Sequence, residues 1–162
     1  MITEVLERTR LDEKIIIASW SGRIESRRDD DFPARLTAMN FMDALGENLT
    51  RYLHQKYFGE HGEIRFTKLV ASADIDYGSI KFENGKIEIS SKSLMVILAV
   101  LGGIQGGVMN YKDAKENIQE LSQDVRYFVC NYAPENHYKV LEMYCQPRDA
   151  EDVIKDLERT QQ

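Results

Sequence analysis

Nineteen consecutive residues without a charge, Ser93 to Tyr111, constrain this chain more than any other feature. They open with Leu94-Met95-Val96-Ile97-Leu98-Ala99-Val100-Leu101 and run on through Gly102-Gly103-Ile104-Gln105-Gly106-Gly107. As one helix the stretch would extend about 28 Å, close to the ~30 Å hydrocarbon thickness of a bilayer. Gly102/Gly106 and Gly103/Gly107 form two overlapping small-xxx-small pairs, a spacing that lets another backbone approach closely. Each glycine costs a solitary helix about 0.8–1.0 kcal/mol relative to alanine, so close packing is expected to compensate. Gln105 and Asn110 oppose burial in lipid, and lysines flank the stretch on both sides (Lys86 and Lys92, Lys112 and Lys115), so charge sets no orientation. Two placements follow: a buried core helix, or a helix in contact with a membrane. On either, Gly106→Leu should disrupt packing more than Ile118→Val, by overfilling a helix crossing.

After Tyr111, the residues Ala114, Ile118, Leu121, Val125, Phe128 and Tyr132 recur at steps of four and three. That is a heptad seam on an otherwise polar helix, ended by Pro134. Fused to the neutral stretch it would make a helix from Ser93 to Tyr132 about 60 Å long. Broken at Gly106-Gly107, it would make a helical pair packed on its own sheet. Gly102, Gly103, Gly106 and Gly107 with Ile118, Leu121, Val125 and Phe128 are therefore the candidate interaction residues, facing a second copy or another protein.

Elsewhere the periodicities alternate between strand and helix. Ile2, Val5, Leu6 and Thr9 have helical spacing. Lys14 to Ser26 predicts a strand, and Ile15-Ile16-Ile17 suits a central one covered on two sides. Pro33, with Asp31 or a neighbour as cap, opens a long helix. Leu36, Met39, Met42, Leu45, Leu49, Tyr52 and Leu53 form its stripe, and Gly59 and Gly62 stop it near Tyr57. Ile64 to Val70 alternates as a strand. Ile80–Glu83 and Lys86–Ile89 flank Asn84-Gly85, the signature of a two-residue hairpin. That hairpin would set Phe82 opposite Ile87, Ile80 opposite Ile89 and Lys81 opposite Glu88. Lys139 to Cys145 predicts a short strand, and Pro147-Arg148-Asp149 opens a last helix with Ala150, Val153, Ile154 and Leu157 inward. The expected architecture is one α+β domain over residues 1–162. Its antiparallel sheet carries the Asn-Gly hairpin, packed by the long amphipathic helix and by a glycine-rich helix continuing into the heptad helix.

At 162 residues, 43% apolar and 30% charged, the chain can bury a core without staples. A net charge of −6 argues against nucleic acid, whose phosphates need a clustered positive surface. Acids among the first eight residues oppose a secretory signal, and two cysteines without CxxC spacing suit a reducing cytoplasm. Chemistry is sparse. Asp74 and Asp76 share one side of an extended chain, ~6.5–7 Å apart, and are weak candidates for a metal, without an evident third carboxylate. Asp29-Asp30-Asp31 beside Arg27 and Arg28 reads as a solvated loop. Arg23, Arg27, Arg28 and Arg35 form a basic cluster interleaved with acids. His54, His61 and His137 lack zinc-site spacing. Cys130, His137 and Asp149 could form a nucleophile, base and orienter, yet Cys130 reads as a buried thiol. Gly102 and Gly107 match the ends of a dinucleotide fingerprint, whose middle position holds Ile104. No cofactor is expected. These residues predict a non-catalytic interaction or assembly module, cytoplasmic, self-associating through the glycine helix and the seam, and membrane-associated in one version. The alternative is a small metal- or nucleotide-dependent enzyme or sensor with its site near Asp74 and Asp76.

Overall fold

The computed structural model describes residues 13–26, 34–59, 68–76, 80–134 and 138–161. The expected first helical turns, the Asp29–Asp31 run, Pro33, His61, Gly62, most of the expected strand at 64–70 and His137 lie outside those residues. In chain order the elements are β1 (Lys14–Ser26), α1 (Ala34–Phe58), β2 (Val70–Asp76), β3 (Lys81–Ser90) and α2 (Ser91–Leu101). They continue with β4 (Ile104–Gln105), β5 (Val108–Met109), α3 (Tyr111–Cys130), β6 (Tyr138–Pro147) and α4 (Ala150–Thr160). The fold is α+β. Its main sheet is antiparallel with strand order β2-β3-β1-β6, and β4 and β5 form a separate two-stranded sheet.

Burial alternates along β3, with Phe82, Ile87 and Ile89 inward and Lys81 and Lys86 outward. Among the described residues all four helices contribute to one core with these inward residues, so one face of the sheet is covered and the other meets solvent. Coverage of β1 on two sides is thereby corrected. The run of branched residues serves a register shift between Ile16 and Ala18 instead, which leaves both Ile17 and Ala18 fully buried on the core side.

Asn84-Gly85 is not a hairpin. Lys81–Ser90 is one strand, whose two halves pair with β1 on one side and β2 on the other. Phe82 is opposite Gly22 and Ile75, and Ile87 is opposite Ala18 and Ala71. Two residues of β3 stand against one on each neighbour at this point, which is a β-bulge, and Asn84 takes φ +52°. That left-handed backbone comes cheaply here was legible; the chain uses it in a bulge because both flanks already have partners.

Helix α1 buries Phe41, Leu45, Leu49 and Leu53, whereas Leu36 and Met39 are 45% and 44% exposed. Its inward stripe is thus rotated from the expected one. The rotation brings Gly46 onto β2, where an added Cβ would lie 2.8 Å from the Leu69 carbonyl oxygen. Thr50 fastens the same crossing: its hydroxyl donates to the Gly46 carbonyl at 2.7 Å and accepts the Leu69 N–H at 2.8 Å. Phe41 centres an aromatic core, with rings of Trp20, Phe82, Tyr132 and Tyr138 between 5.0 and 6.2 Å away.

Both sheet edges are blunted. A bulge at Leu141 interrupts β6, which carries Lys139 and ends on Pro147, and Asp74 and Asp76 stand on β2. Bulges, charge and proline are the usual obstacles to edge-to-edge pairing.

Candidate interaction face

The glycines do not form a helical crossing. Helix α2 stops at Gly102, which takes φ +93°. The Gly103 N–H donates to the Leu98 carbonyl at 2.8 Å and the Gly102 N–H to that of Ala99 at 3.4 Å, a Schellman end. Gly106 and Gly107, at φ +58° and +79°, make the two-residue turn between β4 and β5 and have nothing within 4 Å of an added Cβ. Gly103 alone is closely packed: its Cβ would lie 2.9 Å from the Cα of Ala114 on α3. The fused rod is corrected for the same reason, since three left-handed glycines break any helix. Asn110 caps α3 by accepting the Asp113 N–H at 3.2 Å. Among the described residues no helix is long and apolar enough to cross a membrane.

The expected effect of Gly106→Leu changes accordingly. Its cost comes from the left-handed backbone, about 1–2 kcal/mol, comparable with about 0.5–1.5 kcal/mol for Ile118→Val. Gly103→Ala should lower the melting temperature more than Gly106→Asn, because the first forces α3 away and the second suits the turn. Equal melting temperatures for that pair would contradict the placement of Gly103.

Of the heptad seam, Ile118, Leu121 and Val125 are fully buried in the chain's own core, so they present nothing to a partner. Phe128 is different. It lies half-buried on the flank of α3 facing α1, stacked on Tyr52 at 5.1 Å and 29°, with Tyr132 at 5.5 Å. These rings floor a groove between the two helices, about 960 Å³ in volume, whose lining includes Arg51, Gln55, Tyr127 and Asn131. Asn48 donates to the Tyr132 hydroxyl at 3.0 Å and so fixes the floor. Burial pushes the Tyr132 phenol up to about 12, with the Asn48 bond acting in the opposite direction. Beside the groove, Asp124 accepts from Lys56 at 2.6 Å and from the Tyr57 hydroxyl. Burial, then that bond, hold the Tyr57 phenol well above its ordinary range. At the lip Tyr127 is 64% exposed. The α1 side carries Arg51 and Lys56, and α3 carries the exposed acids Glu116 and Glu120 together with Asp124. Sequence spacing singled out Phe128 as an interaction residue of the seam and placed Tyr52 on the apolar stripe of the long helix, without bringing the two together. Tyr127 and Arg51 were missed, since each stands one residue off the seam or the stripe.

The remaining candidates are dispersed. Asp74 accepts from the Asn84 side chain at 3.2 Å, and Asp76 is opposite Lys81. Among the described residues no group of three or more His, Cys, Asp or Glu could hold a metal ion. Arg23 reaches Glu142 at 3.8 Å, and Arg35 is exposed near the start of α1. Asp149 caps α4, accepting the Glu151 N–H at 2.8 Å, and His54 lies 5.4 Å from the Phe58 ring. Cys130 is exposed and Cys145 buried, which reverses the expectation for Cys130. Gly102 ends α2 and Gly107 lies in the β4–β5 turn, so neither stands on the strand-to-helix turn that a dinucleotide fingerprint requires. In comparisons with protein families, curated proteins and solved structures, nothing matches this chain.

Proposed function

We propose that this chain is a non-catalytic assembly module in which two copies meet through the α1–α3 face. The observation that carries the reading is an exposed aromatic knob, Tyr127, at the lip of a groove floored by Tyr52, Phe128 and Tyr132. Tyrosine, phenylalanine and arginine are the residues enriched at the centres of protein interfaces. The charges favour a second copy as occupant. The face carries both signs, Arg51 and Lys56 on α1 and Glu120 and Asp124 on α3, and so has the mixed charge that a self-complementary two-fold contact uses. Each Tyr127 then seats in the opposite groove. The blunted sheet edges direct association to the helices, and the two unpaired thiols suit a reducing, cytoplasmic setting.

Light scattering across a concentration series tests this directly. Wild type should pass from monomer to dimer in the micromolar range. Tyr127→Ala should weaken the dimer by tenfold or more, as hot-spot truncations of ~2 kcal/mol do, without changing the far-UV spectrum of the monomer. Arg51→Glu, which reverses a charge in the lining of the groove, should also weaken it. A wild-type chain that stays monomeric at high micromolar concentration ends the proposal, as does a Tyr127→Ala variant that dimerises like wild type.

A further inference from the structure

The two cysteines occupy one cavity, on the flank of α3 away from the aromatic groove. Cys130 is the last residue of α3 and is exposed, while Cys145 is buried on β6. Both line a pocket of about 640 Å³ with Arg126, Tyr144 and Gln146. Arg126 precedes Cys130 by one helical turn, so its guanidinium and that thiol share the cavity wall. From this shared cavity we infer that Cys130 and Cys145 form a peroxide-responsive thiol pair, with Cys130 the oxidised sulfur and Cys145 the resolving one. The inference stands apart from the assembly reading.

The division of roles follows from the surroundings. Burial, and after it the charge of Cys130, push the Cys145 thiol up to about 12, with Arg126 acting against them. Cys145 is therefore a protonated thiol that peroxide attacks poorly, whereas Cys130 is open to solvent and a cation stands beside it. Hydrogen peroxide takes two electrons from the Cys130 thiolate; an S–O bond forms, the O–O bond breaks and hydroxide leaves. The Cys145 sulfur then attacks the Cys130 sulfenic acid. An S–S bond forms, the S–O bond breaks, and the departing hydroxyl takes the Cys145 proton as water. The product ties the C-terminal end of α3 to the strand it packs against.

Treating the reduced full-length chain with a small excess of hydrogen peroxide should give a monomer lighter by two hydrogens. Its peptide map should contain the Cys130 and Cys145 peptides joined, and dithiothreitol should separate them. In Cys145→Ser, Cys130 should persist as a sulfenic acid that dimedone traps; in Cys130→Ser, Cys145 should remain a thiol. The inference is overturned if wild-type Cys145 still alkylates after peroxide and denaturation, whether Cys130 is untouched, trapped by dimedone or oxidised to sulfinic acid. It is equally overturned if the two residues join only between chains.

Discussion

Replacing Phe41 by alanine is expected to lower the melting temperature by about 6–20 °C, corresponding to about 3–5 kcal/mol in a domain of this size. Phe41 is fully buried and lies where four elements converge: α1 carries it, Trp20 comes from β1, Phe82 from β3, and Tyr138 from β6. Stacking on Phe82 at 5.0 Å and 23°, with edge contacts to Tyr132 and Tyr138, adds geometry-specific attraction to the area buried. Rigid backbone surrounds the site on the sheet side, so little of the vacated volume can close. The control is Leu36→Ala, on the same helix but 45% exposed, which should shift the melting temperature by no more than about 2 °C. Circular dichroism melts of the two variants settle the rotation of α1, because the apolar stripe read from spacing included Leu36 and left out Phe41. Similar losses for both would mean that the helix faces the sheet differently.

Gly85→Ala is expected to cost about 1–3 kcal/mol or more, and to move Trp20. A Cβ at this position would lie 2.5 Å from the Trp20 carbonyl oxygen and 2.6–2.7 Å from the indole Nε1 and Cδ1. The oxygen belongs to the paired backbone of β1 and has no freedom to retreat. The indole can retreat only by giving up its N–H bond to the Ser72 carbonyl, 3.1 Å long, which reaches across β3 to β2. Trp20 is the sole tryptophan of the chain, so its emission reports on this site alone. It should shift to the red in Gly85→Ala and stay put in Asn84→Gly, where φ +52° suits glycine. A solvent-exposed hairpin tip would behave otherwise, with unchanged emission in both variants. That outcome would restore the hairpin and remove the bulge.

Much of the fold was legible before any coordinates. The bounds of β1, the long helix ending before Gly59, and the last helix with Val153, Ile154 and Leu157 inward all follow from short-range periodicity. So does the apolar seam of Ala114, Ile118, Leu121 and Val125, but not its burial in the chain's own core in place of a partner's surface. The candidate face was half legible: Tyr52 and Phe128 stood out as apolar, but their stacking depends on where α1 lies beside α3, which neither helix records.

The residues of this chain mark where left-handed backbone comes cheaply, not where it occurs: Gly85 and Gly103 do not adopt it, although their neighbours Asn84 and Gly102 do. Asn84, Gly102, Gly106 and Gly107 all take positive φ, as glycine and asparagine allow and bulky residues resist. The amino-acid sequence by itself determined which faces of α3 and α4 are apolar, through a period that is local in the chain. Tertiary structure alone decided which positions turn left-handed and how each is used, whether as bulge, helix end or turn. The choice depends on whether the flanking segments already have hydrogen-bonding partners. For β3 those partners are Lys14–Ser26 and Val70–Asp76, and no local pattern around Asn84-Gly85 encodes that they will arrive.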